Sequence, residues 1–385
     1  MNSKCGMWNG ECGASAAKLC CAPAFSPIQH SPFGIQHFQR GITLIELLIT
    51  MTIIAIISAL IMGTAAAAIE NAREKNTQAL ITKIHTLIME RYSSYETRRI
   101  DVDPRITREI NSWAAAATNP TDFQARNTAR GQMLADARLL GIRELMKKEM
   151  PDRWADVKHI PLILSQSPPL AQTYFRRYQQ IESHPNSGNN EAAECLYMVV
   201  MLSTGDGEAR TLFSKQDIGD TDGDGAPEFV DGWGNPIGWM RWPAGVVSDL
   251  QPLNPDGTRP GENDHDPFDL FRRDSPTVVK PDIGQYPTVL AGQQGASFQT
   301  TYRENLRNRM LNASPANSHL LAYRLVPLIY SGGADGISGM KFAGNSTVEP
   351  LNPYFVTPDN YQAGAPDAEL VNETKDNITN HLIEY

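Results

Sequence analysis

Cysteine is nearly missing from the larger part of this chain: of five, Cys5, Cys12, Cys20 and Cys21 precede residue 41 and only Cys195 follows it. Their spacing matches no zinc pattern, and "AAKLC" lacks the small residue that a lipid-attachment site needs before its cysteine. Removal of the first 41 residues would leave a lone thiol and no intramolecular disulfide. Basic charge is also short, with 34 Lys and Arg against 43 Asp and Glu and a net charge of −9. The segment through Gly41 runs the other way, with Lys4, Lys18 and Arg40 against Glu11, so the remainder is more acidic than the whole. An acidic body excludes phosphate-backbone binding as the main task, and no nucleic acid is expected as a partner. No phosphate loop, nucleophile elbow or His-Glu-x-x-His motif occurs, so nothing points to catalysis and the reading is of a protein that is not an enzyme. Proline is absent from Ile42 to Arg99, which leaves a helix there uninterrupted.

What is there begins with one apolar run. Ile42 to Met62 holds about 21 residues with Glu46 as its single charge, and at about 1.5 Å per residue it spans the roughly 30 Å hydrocarbon core of a bilayer. A secretory signal would be shorter and end at a small-residue cleavage site. This run instead continues into "AAAAIENAREKNTQALITKIHTLIMERY", where Ile69, Ala72, Asn76, Leu80, Ile84, Leu87 and Ile88 recur at helical steps between charged residues. The spacing predicts one helix of more than 50 residues, half in lipid and half amphipathic, with His85 on its polar face. The basic leader and acidic remainder place the short N-terminal segment in the cytoplasm and the large part outside.

Glu46 needs a reason, because a charge near the middle of a membrane helix costs roughly 2.5 to 3.5 kcal/mol, less near an end. Thr43 and Glu46 stand in the Thr-x-x-Glu relation of a capping box, which satisfies free backbone donors at a helix start. The Arg40-Gly41 pair in front is not needed for that. "RGITLIELL" followed by a long apolar stretch resembles the leader of type IV pilins and type II secretion pseudopilins, with Ile42 in place of the usual Phe and Gly63 where a proline is common. The resemblance implies cleavage after Gly41 by a prepilin peptidase and methylation of the new terminus at Ile42. It also implies that Glu46 pairs with the methylated amine of a neighbouring subunit when helices bundle into a filament.

Farther along, Asp101 to about Glu182 has helical spacing in "ITREINSWAAAA", "ARGQMLADARLLGIRELMKKEM" and "LAQTYFRRYQQIE", broken near Pro151, Pro161 and "SPP". A further helix is expected over "NNEAAECLYMVVMLS", with Cys195 as core filler. In "GDTDGDGAPEFVDGWGNPIGWMRWP", Asp220, Asp222, Asp224 and Gly225 reproduce the D-x-D-x-D-G start of a calcium loop, with Glu228 ninth and Asp231 twelfth. Pro227 and "GWGNP" follow, so no second helix completes an EF-hand. Between Ala244 and Ser318 the chain is rich in Pro, Asp, Asn and Gly, and Asp264, His265 and Asp266 there read as a surface loop, since adjacent residues seldom converge on one ion.

"DGWGNPIGWMRW" resembles the turn and following strand of the major, G-type pseudopilin, and "LVPLIYSGGADGISG" resembles that family's C-terminal strand and turn. The resemblance implies calcium near the C-terminal loops, carried onto Asp335, with "DNITNH" a fainter echo of the acidic tail. The expected architecture is α+β and pilin-like: a long membrane-spanning N-terminal helix, a helical insertion and a small antiparallel sheet packed on the helix. The parts are a leader (1–41), a membrane helix (42–63), its amphipathic continuation (64–100), the insertion (101–205), a β region with long loops (206–345) and a tail (346–385). The expected role is a structural subunit of a type II secretion or type IV pilus system, single-pass in a bacterial inner membrane, its body periplasmic or on an extracellular filament. Glu46 argues against the tip pseudopilin, which typically lacks it. The rival reading is a membrane-anchored, calcium-binding surface adhesin or binding module that uses the same leader.

Overall fold

The computed structural model describes residues 41–203, 211–257, 264–273, 322–342, 351, 353–354, 361–370 and 373–382. The fold is α+β, as expected, and divides into two compact units, one through Ile61 and one from Met62 onward. The long helix is present: α1 covers Leu44–Ser94, 51 residues without a break. The described residues of the first unit are exposed throughout, Ile and Leu side chains included. So long an apolar stretch with no protein cover is suited to lipid, and α1 is long and apolar enough to cross a membrane.

Among the described residues of the second unit five more helices follow: α2 (Pro104–Ala115), α3 (Pro120–Glu149), α4 (Trp154–Lys158), α5 (Pro169–Ile181) and α6 (Glu191–Ser203). The sequence punctuates them: Asp103 accepts from the Arg105 N–H and Asn119 from the Asp122 N–H, each 2.8 Å, just before Pro104 and Pro120 open α2 and α3. The strands are short. β1 (Ile218–Gly219) and β2 (Glu228–Phe229) form an antiparallel hairpin, with Gly219 opposite Glu228. β3 (Gly238–Met240), β4 (Leu328–Ser331) and β5 (Ile378–Thr379) form a three-stranded antiparallel sheet with β4 central, Trp239 opposite Ile329 and Ser331 opposite Ile378.

The largest core cluster joins α1, α3 to α6 and the strands, while Ile106 and Ile110 of α2 pack with Met133 and Ala137 of α3 in a second one. Leu80, Ile84 and Ile88 of α1 are buried with Met146 of α3, Tyr174 of α5, Val199 of α6 and the strand residues Trp239 and Ile329. The buried stripe on α1 starts later than its sequence spacing predicts: Ile69, Ala72 and Asn76 are exposed, and burial begins at Thr77. Of the expected insertion, 101–205, the described residues 101–203 lie in this same unit, where α3, α5 and α6 each bury a face in the core shared by α1 and the strands. The expected boundaries at 205–206 and 345–346 lie outside the described residues. Cys195 is wholly buried in that core, and burial pushes its thiol well above the usual range.

Buried charge fastens the helices to one another. Glu149 at the end of α3 accepts from Arg98 (2.6 and 2.8 Å), Arg91 (3.1 Å) and the Tyr95 hydroxyl (2.8 Å), closing the C-terminal end of α1 onto α3. Glu144, one turn earlier, accepts from three successive backbone N–H groups, those of Leu162, Ile163 and Leu164, each at 2.8 Å.

The C-terminal strand is held by His381 and Asn380. Asn380 accepts from the Ile329 N–H (2.7 Å) and its amide donates to the His85 Nδ1 (2.8 Å), so the histidine expected on a polar face of α1 is a contact to the sheet. His381 lies against the Ser248 hydroxyl and the Pro327 carbonyl, and burial pushes it down to about 4, against smaller opposing effects of the Pro327 hydrogen bond and Asp249. The folded chain therefore binds fewer protons than the unfolded chain between pH 4 and 6.5, so this contribution is complete above about pH 6.5 and is lost as pH falls toward 4. A shift of that size corresponds to about 3 kcal/mol. Urea melts at pH 7 and pH 4.5 should show a smaller pH-dependent loss in His381→Gln than in the wild type, and equal losses would remove His381 from the account.

Candidate functional site

The first candidate residues lie at the start of α1. Gly41, Ile42 and Thr43 precede the helix, all exposed. Thr43 is its N-cap in effect: the Glu46 N–H donates to the Thr43 hydroxyl (3.3 Å), and the Thr43 N–H and hydroxyl both donate to the Glu46 carboxylate (3.2 Å each). That is a reciprocal capping box. In the single chain, then, Glu46 answers the free donors of its own first turn, and a negative charge there also suits the positive end of the helix dipole.

The second candidate is the connection of the β1–β2 hairpin, residues 220–227. Gly223 and Gly225 take φ of +76° and +96°, a region open to glycine at little cost, and this turns the backbone so that three aspartates converge. One carboxylate oxygen from each of Asp220, Asp222 and Asp224 lies within 4.8 Å of the others. Asp220 accepts from the N–H groups of Gly223 (2.8 Å) and Gly225 (3.1 Å), Asp222 Oδ1 from Asp224 (3.2 Å) and Asp224 Oδ1 from Ala226 (2.7 Å). The second oxygens of Asp222 and Asp224 are buried and accept nothing.

Glu228, which opens β2, folds back over the same loop. It is wholly buried and accepts from the Thr221 N–H (2.9 Å) and the Asn190 amide (3.1 Å). Its carboxylate forms a second acidic group, again within 4.8 Å, with Asp222 and with Glu194 of α6. Glu194 is a residue that the loop motif cannot reveal, because it lies on a different element. It is wholly buried; Oε2 accepts from the Trp154 indole (2.6 Å) and Oε1 has no partner. Burial pushes Glu194 up to about 9, with Asp224, Asp222 and Glu228 adding to the rise and the Trp154 hydrogen bond opposing it. Burial likewise raises Glu228 and Asp222. The sequence does carry a signal for Glu194, a carboxylate inside the otherwise apolar "AAECLYMVV".

Asp231 and Asp335 sit elsewhere and belong to neither acidic group. Asp231 is buried and shapes the "WGNP" turn: Oδ1 accepts from the N–H groups of Trp233 and Asn235 (2.9 Å each), and Oδ2 from the Ser331 hydroxyl (2.6 Å). Asp335 is exposed and accepts from the Ile337 N–H (2.7 Å), while Asp376 of "DNITNH" accepts from the Ala334 N–H (2.9 Å). Two separated motifs thus lock together, since Asn235 also donates to the Gly333 carbonyl (2.8 Å). The same turn seats on α1. The Gly232 N–H donates to Thr77 (2.9 Å), the Trp233 indole donates to Glu70 (2.8 Å), and a Cβ on Gly232 would lie 2.7 Å from the Arg73 Cα. Only glycine allows that approach. Asp264, His265 and Asp266 do not converge: Asp264 meets Arg324, His265 the Asp269 carbonyl and Asp266 the Arg143 guanidinium.

Compared with known families, residues 37–62 match the prokaryotic N-terminal methylation motif, a type IV pilin-like signal. No curated protein and no solved structure matches the chain. The match covers the Arg40-Gly41-Ile42 junction, the Thr43–Glu46 box and the apolar part of α1, so the chain carries a pilin-type leader joined to a long membrane-suited helix, the one such helix among the described residues.

Proposed function

We propose that the chain is a structural, non-catalytic subunit of a pilus or pseudopilus of the type IV pilus or type II secretion kind. A prepilin peptidase cuts it after Gly41 at the cytoplasmic face of a bacterial inner membrane and methylates Ile42. The mature chain then assembles with other pilin-like subunits through α1, its body on the far side of the membrane. The observation that carries this reading is the match of residues 37–62 to the N-terminal methylation motif at the head of a helix whose first part is apolar and wholly exposed.

The physics of assembly follows from the first turn. An amine at Ile42 and a carboxylate at Glu46 are both costly in lipid, and stacking in register lets the one neutralise the other across a subunit boundary. The mass of the protein isolated from its native membrane tests the processing step. A mature chain that begins at methylated Ile42 is expected, and a terminus upstream of Gly41 in the membrane-resident form would sink the reading.

A further inference from the structure

We propose that Glu194 of α6, together with Asp222 and Glu228 and supported by Asp220 and Asp224, binds a calcium ion that ties the β1–β2 hairpin to α6.

The acidic loop alone would not carry this, because acidic turns are common on surfaces. The deciding observation is Glu194. A wholly buried carboxylate has one oxygen with no partner, and its carboxylate stands within 4.8 Å of two others, Asp222 and Glu228. Asp224, 8% exposed, leaves a second buried oxygen unpartnered, and Asp222 a third. Among the described residues no Lys or Arg forms an ion pair with any of the five carboxylates, and His184 is the basic group acting on Asp222. Carboxylates crowded without a counter-charge oppose folding, and a buried acceptor left without a donor is costly. A divalent cation resolves both at once, by supplying positive charge and by taking up the free oxygens.

The donor set selects the cation. All five groups are carboxylates, with no thiol and no imidazole among them, which suits a hard ion and not zinc. Calcium takes about six to eight oxygens in a flexible geometry, whereas magnesium demands a near-ideal octahedron and keeps its waters. Asp222 belongs to both acidic groups, so one ion at Asp222 draws on the loop and on α6 together. The frame for it is already built: Asn186 donates to the Asp222 carbonyl (2.6 Å) and Asn190 to Thr221 (2.8 Å) and Glu228 (3.1 Å), seating the hairpin against the segment that leads into α6. Asp231 and Asp335 are not ligands in this proposal. It stands apart from the assembly reading, since the site is complete within one chain.

The test uses the full-length chain in detergent, stripped with EDTA and titrated with calcium chloride or magnesium chloride by calorimetry, with thermal melts alongside. The expected result is saturable binding of one calcium per chain, magnesium about tenfold weaker or worse, and a Tm several degrees higher with calcium than with EDTA. Glu194→Gln and Asp222→Asn should each weaken calcium binding by roughly tenfold or more, while Asp335→Asn binds as the wild type does. In EDTA, Glu194→Gln should melt close to the wild-type temperature, because the amide oxygen keeps an acceptor for the Trp154 indole. Absence of saturable calcium binding with an unchanged Tm would overturn the proposal, and so would wild-type affinity in both Glu194→Gln and Asp222→Asn.

Discussion

Glu46→Ala should yield a protein that is made, inserted and cut after Gly41 but that enters filaments roughly tenfold less than the wild type or not at all. The measurement is the ratio of sheared surface fraction to membrane fraction by immunoblot, in cells that express the full chain. The single-chain geometry sharpens the expectation. Glu46 is engaged in a capping box with Thr43, and losing such a box costs a helix about 0.5–2 kcal/mol. On the proposed assembly, pairing with a neighbour's amine has to outcompete the box, and removing two charges from lipid supplies the larger gain. Thr43→Ala separates the two roles of Glu46: it removes the hydroxyl half of the box and leaves the carboxylate in place, still accepting from the backbone N–H at position 43, so assembly should survive it. If Glu46→Ala left the filament ratio unchanged while surface binding persisted, the chain would be a membrane-held binding module and not a subunit.

Glu149→Ala should cost the folded body about 3 kcal/mol, the low end of the range for removing one partner of a buried ion pair, because the Arg98 side chain is 40% exposed and can turn to water. The reason is the number of donors stranded at once. Arg91, Arg98 and the buried Tyr95 hydroxyl all converge on this one carboxylate, and the Tyr95 ring is wholly buried in the core. For a body of this size the fall in Tm is roughly 5 °C. Tyr95→Phe should lose about 1 kcal/mol, since it deletes one donor and keeps the ring. Thermal melts of the two variants check the pair, and a Glu149→Ala loss no greater than that of Tyr95→Phe would mean that the two arginines contribute little, as exposed ion pairs do.

The parts of this fold that were legible in the sequence are those governed by local rules. The absence of proline from Ile42 to Arg99 and the length of the apolar run announced α1, and Thr43-x-x-Glu46 announced its capping box. The D-x-D-x-D-G run announced a tight acidic turn, which the structure shows with positive-φ glycines at 223 and 225. What stayed hidden depends on long-range meetings. Glu194 and Glu228 come together across 34 positions of sequence, because α6 and the hairpin share a core. Asp231, spaced as a twelfth loop position, is drawn instead to Ser331, a hundred positions away, since a carboxylate between two N–H groups and a hydroxyl is already satisfied. β3 and β4 fall where the resemblance expected strands, after "WGNP" and in "LVPLIYS", but at two to four residues none of the strands is long enough to show alternation by itself.

The seat of the "WGNP" turn on α1 also fixes a loading order. In the second unit, Glu70 and Thr77 are met by Trp233 and Gly232 well before the helix reaches His85, Arg91 and Tyr95. Tension applied from the N-terminal end of α1 is therefore taken up first by a turn bolted to β4 through Asp231 and Asn235, and only later by the apolar core and the ionic cluster at Glu149. The glycine that permits this seat makes the turn the leading anchor of the body under traction.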